Sequence, residues 1–199
     1  MFVDTLTQNL NGMARVSRAF ACTLMCLVLL TNAHEARASA AAERYVKQIG
    51  SNVLAAANSG SAAQFRAILR RHADLRTIAK FALGRYARKL PAKQRGQFHL
   101  VVENMITKAF AANSARLRGN SIRIVGSTAS GNHGIVVSTQ IVGGSGMQIK
   151  WRIANAGGRL RIKDINVSGI WLSHRLRQKV ANQFKRNKQE FAAALTTLK

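Results

Sequence analysis

The sequence predicts an α+β domain with N-terminal helices, a curved antiparallel meander of about four strands, and C-terminal helices packed over the apolar sheet face. Before residue 119 and after residue 169, apolar residues recur every three to four positions, which is typical of amphipathic helices. Between these limits the apolar period is two, as in strands with one buried face. Helices grouped at both ends of such a meander must cover its apolar side.

Residues 1–40 have the composition of a cleavable signal peptide. A short basic region precedes an uncharged apolar run at residues 19–30, and an Ala-Ser-Ala sequence supplies the small residues that signal peptidase requires. We expect cleavage after Ala40 or, alternatively, after Ala38, and the true start codon is either the first one or Met13. A membrane anchor is the other interpretation, although the apolar run is short for a bilayer.

The expected mature chain, residues 41–199, is strongly basic. It carries 28 Lys and Arg against 5 Asp and Glu, a net charge of +23. Such a field attracts polyanions, either nucleic acid or an anionic membrane face. An exported protein seldom meets nucleic acid, so lipid head groups are the favoured partner. Both cysteines, Cys22 and Cys26, lie in the leader, so we expect neither a disulfide nor a thiolate metal site.

Four helices are predicted before the sheet. The first covers 41–58, the second begins after Ser61, and the third is capped by Asp74 and ends at Gly84, which permits a left-handed turn. Pro91 begins a long helix that runs to about residue 117. Its apolar stripe is broad enough to form core or to wall a cavity, and it consists of Phe98, Val101, Val102, Met105, Ile106, Ala109 and Phe110.

The strands are predicted near 121–124, 135–142, 147–153 and 160–167, joined by short turns that contain glycine. The apolar phase slips by one residue at Lys163-Asp164, which predicts a β-bulge. An ion pair of Asp164 with Arg161 or Lys163 is expected beside it. The helical period returns at Ile170, and a last short helix closes the chain.

No catalytic motif is apparent. The five carboxylates of residues 41–199 are scattered, and the histidines lack HExxH or HxH spacing. The glycines at 143–146 lie between two strands, so they predict a hairpin turn and not a phosphate loop. We therefore expect no metal, no cofactor and no enzyme. A small enzyme on a cone-shaped sheet stays open as an alternative, and it would need a titratable group inside a pocket.

Two motifs resemble those of one known family. FALGRY, residues Phe81–Tyr86, is followed by a Pro-initiated helix with Gln94-Arg95. The later run RIKDINVSGIWL, residues 161–172, resembles a strand-to-helix motif of the same family. Together they are similar to MlaC-type periplasmic phospholipid-binding proteins, also called the toluene-tolerance family. Lys163 replaces the usual aromatic and Ser168 the usual glutamate, and divergent members of this kind occur in a hopanoid-associated subfamily.

The resemblance implies a periplasmic, monomeric carrier that shuttles phospholipid between an outer-membrane lipoprotein complex and an inner-membrane ABC-transporter complex. It implies peripheral membrane contact only, no nucleic acid, and acyl tails in a pocket between sheet and helices. Arg85 and Tyr86 are expected near the pocket mouth, or else form a structural cap. The expected lining, for which ordinary core is the alternative, is Phe81, Val102, Ile106, Phe110, Val137, Ile149, Trp151, Ile153, Ile165 and Val167.

A second function is compatible with the same sequence. The chain is alternatively a basic binding module for a hopanoid-type lipid or for an anionic envelope polymer. Such a module requires basic residues clustered on one sheet face with exposed aromatic side chains. The two hypotheses differ in whether a hollow between the sheet and the helices holds the ligand.

Overall fold

The computed structural model describes residues 37–143, 146–187 and 190–198. The predicted signal peptide lies outside these residues except for positions 37–40. Residues 41–199 form one compact unit. Its helices are α1 (through residue 58), α2 (Ala62–His72), α3 (Leu75–Leu83), α4 (Ala92–Asn113), α5 (Leu172–Arg186) and α6 (Phe191–Leu198). Its strands are β1 (Ser121–Ala129), β2 (Ile135–Val142), β3 (Gln148–Ala156), β4 (Arg159–Val167) and β5 (Ile170–Trp171).

The helices begin where capping chemistry predicts. The Ser61 side chain accepts a hydrogen bond from the Gln64 backbone N–H, and Asp74 accepts one from Thr77, so the first free donors of α2 and α3 are satisfied. Gly84 has φ 53° and ends α3, as expected, and a 3₁₀ helix follows at Gly84–Arg88. The last turn of the predicted long helix is also 3₁₀, at Ser114–Leu117.

The sheet is an antiparallel meander in the order β1-β2-β3-β4-β5. The α+β prediction is confirmed, with five strands in the described part of the chain instead of about four. The helical interpretation of Ile170 and Trp171 is wrong, because these residues pair with Val167 and Asn166 as β5. Ser168 (φ 51°) and the glycine after it (φ 90°) turn the chain back before α5 begins.

The predicted β-bulge is present in β4. Arg152 pairs with Asp164 while Ile153 pairs with Ile162, so Lys163 is the extra residue. A second irregularity in β1, between Ile124 and Gly126, is not evident from the alternation of the sequence. Each bulge changes which side chains of its strand share a face.

The register gives the sheet one apolar and one polar face. Val137 pairs with Trp151 and Trp151 with Ile165, so these side chains lie on the face that packs against the helices, which we call the core face. The alternate residues, including Lys150 and Arg152, lie on the opposite, polar face. Side chains of all six helices and of β2, β3 and β4 contribute to one buried apolar cluster.

Candidate functional site

The first candidate site is the interface between the core face and the helices. Val102 and Ile106 of α4 and Val137, Trp151 and Ile153 of the sheet are all buried in one apolar cluster. The sheet and the helices therefore meet side chain to side chain around these five predicted lining residues. Any acyl chain that enters here must displace contacts between the two layers.

Three other predicted lining residues form the edge of this interface. Ile149, Ile165 and Val167 are half-buried, and Ile149 and Val167 are directly paired across β3 and β4. We call these three residues the interface margin. Phe110 of α4 is also half-buried, and its ring stacks on Phe65 with centroids 3.8 Å apart.

A hydrogen-bonded chain fixes Trp151 within the core face. Its indole Nε1 donates to Thr139 Oγ1 at 2.9 Å, and that hydroxyl donates to the carbonyl oxygen of Ile149 at 3.0 Å. Thr139 is a polar side chain only 1% exposed. The two bonds satisfy the indole and the hydroxyl together, as burial of both groups requires.

The FALGRY residues lie in different environments. Tyr86 is 3% exposed and packs edge-to-face on Phe184 with centroids 4.9 Å apart. Arg85 is exposed and donates to the Tyr86 hydroxyl at 3.1 Å. Phe81 is 37% exposed, with the guanidinium of Arg177 3.9 Å above its ring. Tyr86 thus anchors the turn in the core, while Phe81 lies at the surface.

The second candidate site is a cavity of about 460 Å³ that opens on the polar side of the sheet, which we call the polar-face cleft. Phe81 lines it, whereas the other predicted lining residues do not. Its wall comes from α3, the β1–β2 loop, β3, β4, β5 and the start of α5. The lining residues are Thr77, Ile78, Phe81, Asn132, His133, Arg152, Ala154, Lys163, Asp164, Trp171, Ser173 and His174.

Sequence reasoning missed this cleft because its parts are far apart in the chain. The ion pair expected for Asp164 with Arg161 or Lys163 is wrong. Asp164 instead lies 4.0 Å from Arg152 on the neighbouring strand, and Lys163 pairs with Asp74 at the start of α3. The bulge explains this change of ion-pair partners, because Lys163 is the extra residue there and its side chain is separated from those that flank it in β4.

Asp164 is buried beneath the cleft and joins the sheet to α5. It accepts hydrogen bonds from the backbone N–H groups of Ile165 at 2.9 Å and Ser173 at 3.1 Å, and from the Ser173 hydroxyl. At 4% exposure, these donors replace the water that the carboxylate loses. The interaction fixes where α5 starts relative to β4.

The other carboxylates of residues 41–199 are mostly paired as well. Glu103, 5% exposed, accepts from Arg70 Nε at 3.0 Å and lies 3.6 Å from Arg66. Glu43 accepts from the Ser127 hydroxyl at 2.6 Å. Glu190 is exposed. Cationic side chains therefore dominate the surface.

Near α2 and α3, the pKa values of Asp74, His72 and Tyr45 are shifted. Burial alone raises the pKa of Asp74, but hydrogen bonds from Lys163 and Thr77 outweigh it, so the net pKa lies below its usual value. Burial, with nearby arginines, lowers the pKa of His72, and burial raises the pKa of the Tyr45 hydroxyl 3.2 Å away. His72 is thus a packing residue of the α1–α2 contact.

The sequence from residue 40 to residue 199 matches the MlaC protein family. This chain belongs to the MlaC family. Its structure resembles that of a phospholipid-binding protein from Ralstonia solanacearum, solved in complex with a phospholipid. The two share 18% sequence identity with a TM-score of 0.67, and the match covers 78% of this chain and 93% of the other. At this identity the likeness establishes the fold. No protein of curated function matches the sequence.

Two further observations apply to this MlaC family member within its described residues. None of the helices that the structure describes is both long and apolar enough to cross a membrane. No group of three or more His, Cys, Asp or Glu side chains in the same residues is arranged to hold a metal ion.

Proposed function

We propose that this protein binds a phospholipid by its acyl chains and carries it through the periplasm. Membership of the MlaC family over residues 40–199 carries the proposal. The phospholipid found with the R. solanacearum protein of the same fold supports it. The protein is then a binding and transport protein, not an enzyme, and residues 1–40 are the signal peptide that directs export.

The proposed acyl-chain site lies between the core face and α4. Trp151, Val137 and Ile153 would form its floor, with Val102 and Ile106 opposite. Because the two layers meet directly, the helices must separate from the sheet as the tails enter. Apolar side chains that had packed against one another then pack against the methylenes of the tails, so little apolar area is exposed to water.

We expect this separation to start at the interface margin. Ile149, Ile165 and Val167 are half-buried, so fewer packing contacts are lost there than around the fully buried Val137. Entry at this edge leaves the phosphate-bearing head group outside the apolar layer. Arg85, which the sequence analysis expects near the pocket mouth, is exposed in the 3₁₀ helix that follows α3.

The magnitude of lipid burial explains why such a carrier must dock. Burying about 25 methylenes at ~0.8 kcal/mol each gives on the order of 20 kcal/mol relative to water. A lipid held this tightly leaves quickly only into another apolar site. We therefore propose exchange with an inner-membrane ABC-transporter complex and an outer-membrane lipoprotein complex. The basic surface favours docking on anionic head groups or acidic partners, an attraction that salt weakens.

The two tryptophans of the chain provide a direct test. Trp151 is 4% exposed on the core face, whereas Trp171 lines the polar-face cleft. Trp171→Phe leaves Trp151 as the only indole, and Trp151→Phe leaves Trp171. Phospholipid brominated along its acyl chains should quench the fluorescence of the first variant and leave that of the second largely unchanged. Equal quenching of both, or of neither, would count against the proposed site.

Mass spectrometry of lipid that co-purifies with the protein tests the entry edge. Val167→Glu places a charge in the interface margin, and we expect it to lower the bound lipid several-fold. Val125→Glu is the matched control, because Val125 is a 63% exposed valine elsewhere in the sheet. The proposal fails if wild-type protein carries no lipid, or if the two variants lose it equally.

A further inference from the structure

We infer that the polar-face cleft is a binding site for a phosphate group, borne by a small phosphate ester or by a lipid head group. The cleft lies on the opposite side of the sheet from the proposed acyl-chain site. The inference therefore does not rest on the carrier function. It rests on the environment of Arg152 and on the donors that surround it.

Arg152 projects from the middle of β3 into the cleft. Its guanidinium carbon lies 4.1 Å from the centre of the Trp171 ring, so the planar group is stacked and oriented. Its contact with Asp164 is 4.0 Å, too long for a hydrogen bond, and its buried Nε finds no acceptor among the described residues. An oriented guanidinium with unused donors is suited to bidentate contact with an oxyanion.

Further donors surround this arginine. Asn132 and His133 come from the exposed β1–β2 loop, and His174 comes from the first turn of α5. Lys163 lines the same cavity, although its ammonium is engaged by Asp74. These groups come from separate elements and line a single cavity, so one ligand can contact several of them together.

Among the described residues, Asp164 is the one carboxylate that lines the cleft. Its charge would oppose an anion if it faced the cavity unpaired. Instead, its oxygens accept from Ile165 and from both the N–H and the hydroxyl of Ser173. These donors stabilise the carboxylate where it lies, in the wall of the cleft. Part of the positive potential of Arg152 therefore remains to attract an anionic ligand.

The size and the rim of the cleft indicate the kind of ligand. A volume of about 460 Å³ exceeds that of a bare phosphate and admits an attached organic group. Phe81 lies at the rim, stacked with His174 at 5.7 Å between centroids. In a phosphate ester, the phosphate can contact the donors inside while the remaining volume holds the organic group.

Titration with inorganic phosphate and with glycerol 3-phosphate, monitored by calorimetry at constant ionic strength, tests the site. We expect Arg152→Gln to weaken binding of both about tenfold, since it removes charge-assisted hydrogen bonds. Lys150→Gln is the matched control. It removes one charge from the same strand and the same sheet face but lies outside the cleft lining. Its effect should stay below about twofold.

A second variant tests the site independently, in case Arg152→Gln does not fold. His133→Glu adds a carboxylate from an exposed loop, so we expect an unchanged thermal midpoint and a similar loss of phosphate affinity. Vesicles of phosphatidylglycerol, compared with phosphatidylcholine, identify the source of the phosphate. If both variants reduce vesicle binding, a lipid head group is the ligand. If they reduce only soluble phosphate binding, a free ester is.

Two results would overturn the site. One is the absence of binding to soluble phosphate and to anionic vesicles alike. The other is an affinity that falls equally in Arg152→Gln and Lys150→Gln while His133→Glu behaves as wild type. That pattern would mean that phosphate interacts with the general basic surface.

Discussion

The indole of Trp151 donates a 2.9 Å hydrogen bond to the hydroxyl of Thr139 on the adjacent strand, inside the apolar layer of the domain. This contact sets the orientation of the largest side chain on the core face. It also makes one polar pair part of the surface on which we propose that acyl chains lie. Removing this hydrogen bond should lower both the free energy of unfolding and the affinity for lipid.

Thr139→Val should lower the free energy of unfolding by about 1–3 kcal/mol, because the Trp151 N–H loses its acceptor while still buried. Urea denaturation measures the change. Thr128→Val, at an exposed position of β1, is the control and should change stability by less than about 0.5 kcal/mol. If both variants unfold at the same urea concentration, the hydrogen bond does not contribute as we describe.

Asp164→Ala should destabilise the protein by about 3 kcal/mol, because it leaves the Ser173 donors at the start of α5 without an acceptor and Arg152 without its counter-charge. Asp164→Asn, which keeps one carbonyl acceptor, should cost less. Chemical denaturation gives both values, with exposed Glu190→Ala as a near-neutral control. A larger loss of stability in Asp164→Asn than in Asp164→Ala would be inconsistent with this role.

Asp74 should make stability depend on pH in the acid range. Its folded-state pKa lies below the usual value, so its contribution is complete above the unfolded-state pKa of about 4 and is lost as the pH falls through the folded-state value. Asp74→Asn keeps a capping oxygen but loses the charge that pairs with Lys163. The stability difference between wild type and Asp74→Asn should therefore shrink when denaturation at pH 6 is repeated below pH ~4. A constant difference would exclude this linkage.

Gly134 allows the β1–β2 loop to approach β3. It has φ 86° and ψ −141°, and a Cβ atom there would lie 2.1 Å from the Ile153 carbonyl oxygen. Gly134→Ala should cost more than about 3 kcal/mol from strain and overlap together. Gly158→Ala also has positive φ, but no described atom lies within 4 Å of its Cβ, so about 1 kcal/mol is expected. Thermal unfolding distinguishes the two variants. Comparable losses of stability would mean that the loop and β3 move apart and relieve the overlap at Gly134.

The order and type of most elements follow from local sequence signals. Ser61, Asp74 and Gly84 act as caps because their side-chain or backbone chemistry is local, and the bulge at Lys163 is visible as a slip in alternation. The strand at Ile170 is not visible in this way. Two residues show no period, and their pairing depends on the turn before them.

The polar-face cleft depends on contacts between distant segments. Arg152 and Trp171 are brought together by the β3-β4-β5 register, and His133 reaches the same cavity through the loop at Gly134. Local periodicity contains no information about such neighbours. The same limit applies to the predicted lining residues, since apolar alternation identifies the core face without indicating how closely the helices pack on it.

The engagement of Glu43, Asp74, Glu103 and Asp164 by neighbouring side chains leaves Glu190 as the exposed acidic side chain among the described residues. Two copies that approach each other in dilute buffer thus meet like charge on nearly every side. Colloidal repulsion of this kind keeps molecules dispersed even at high concentration. Raising the ionic strength should let them approach, so light scattering would detect attraction first in concentrated salt.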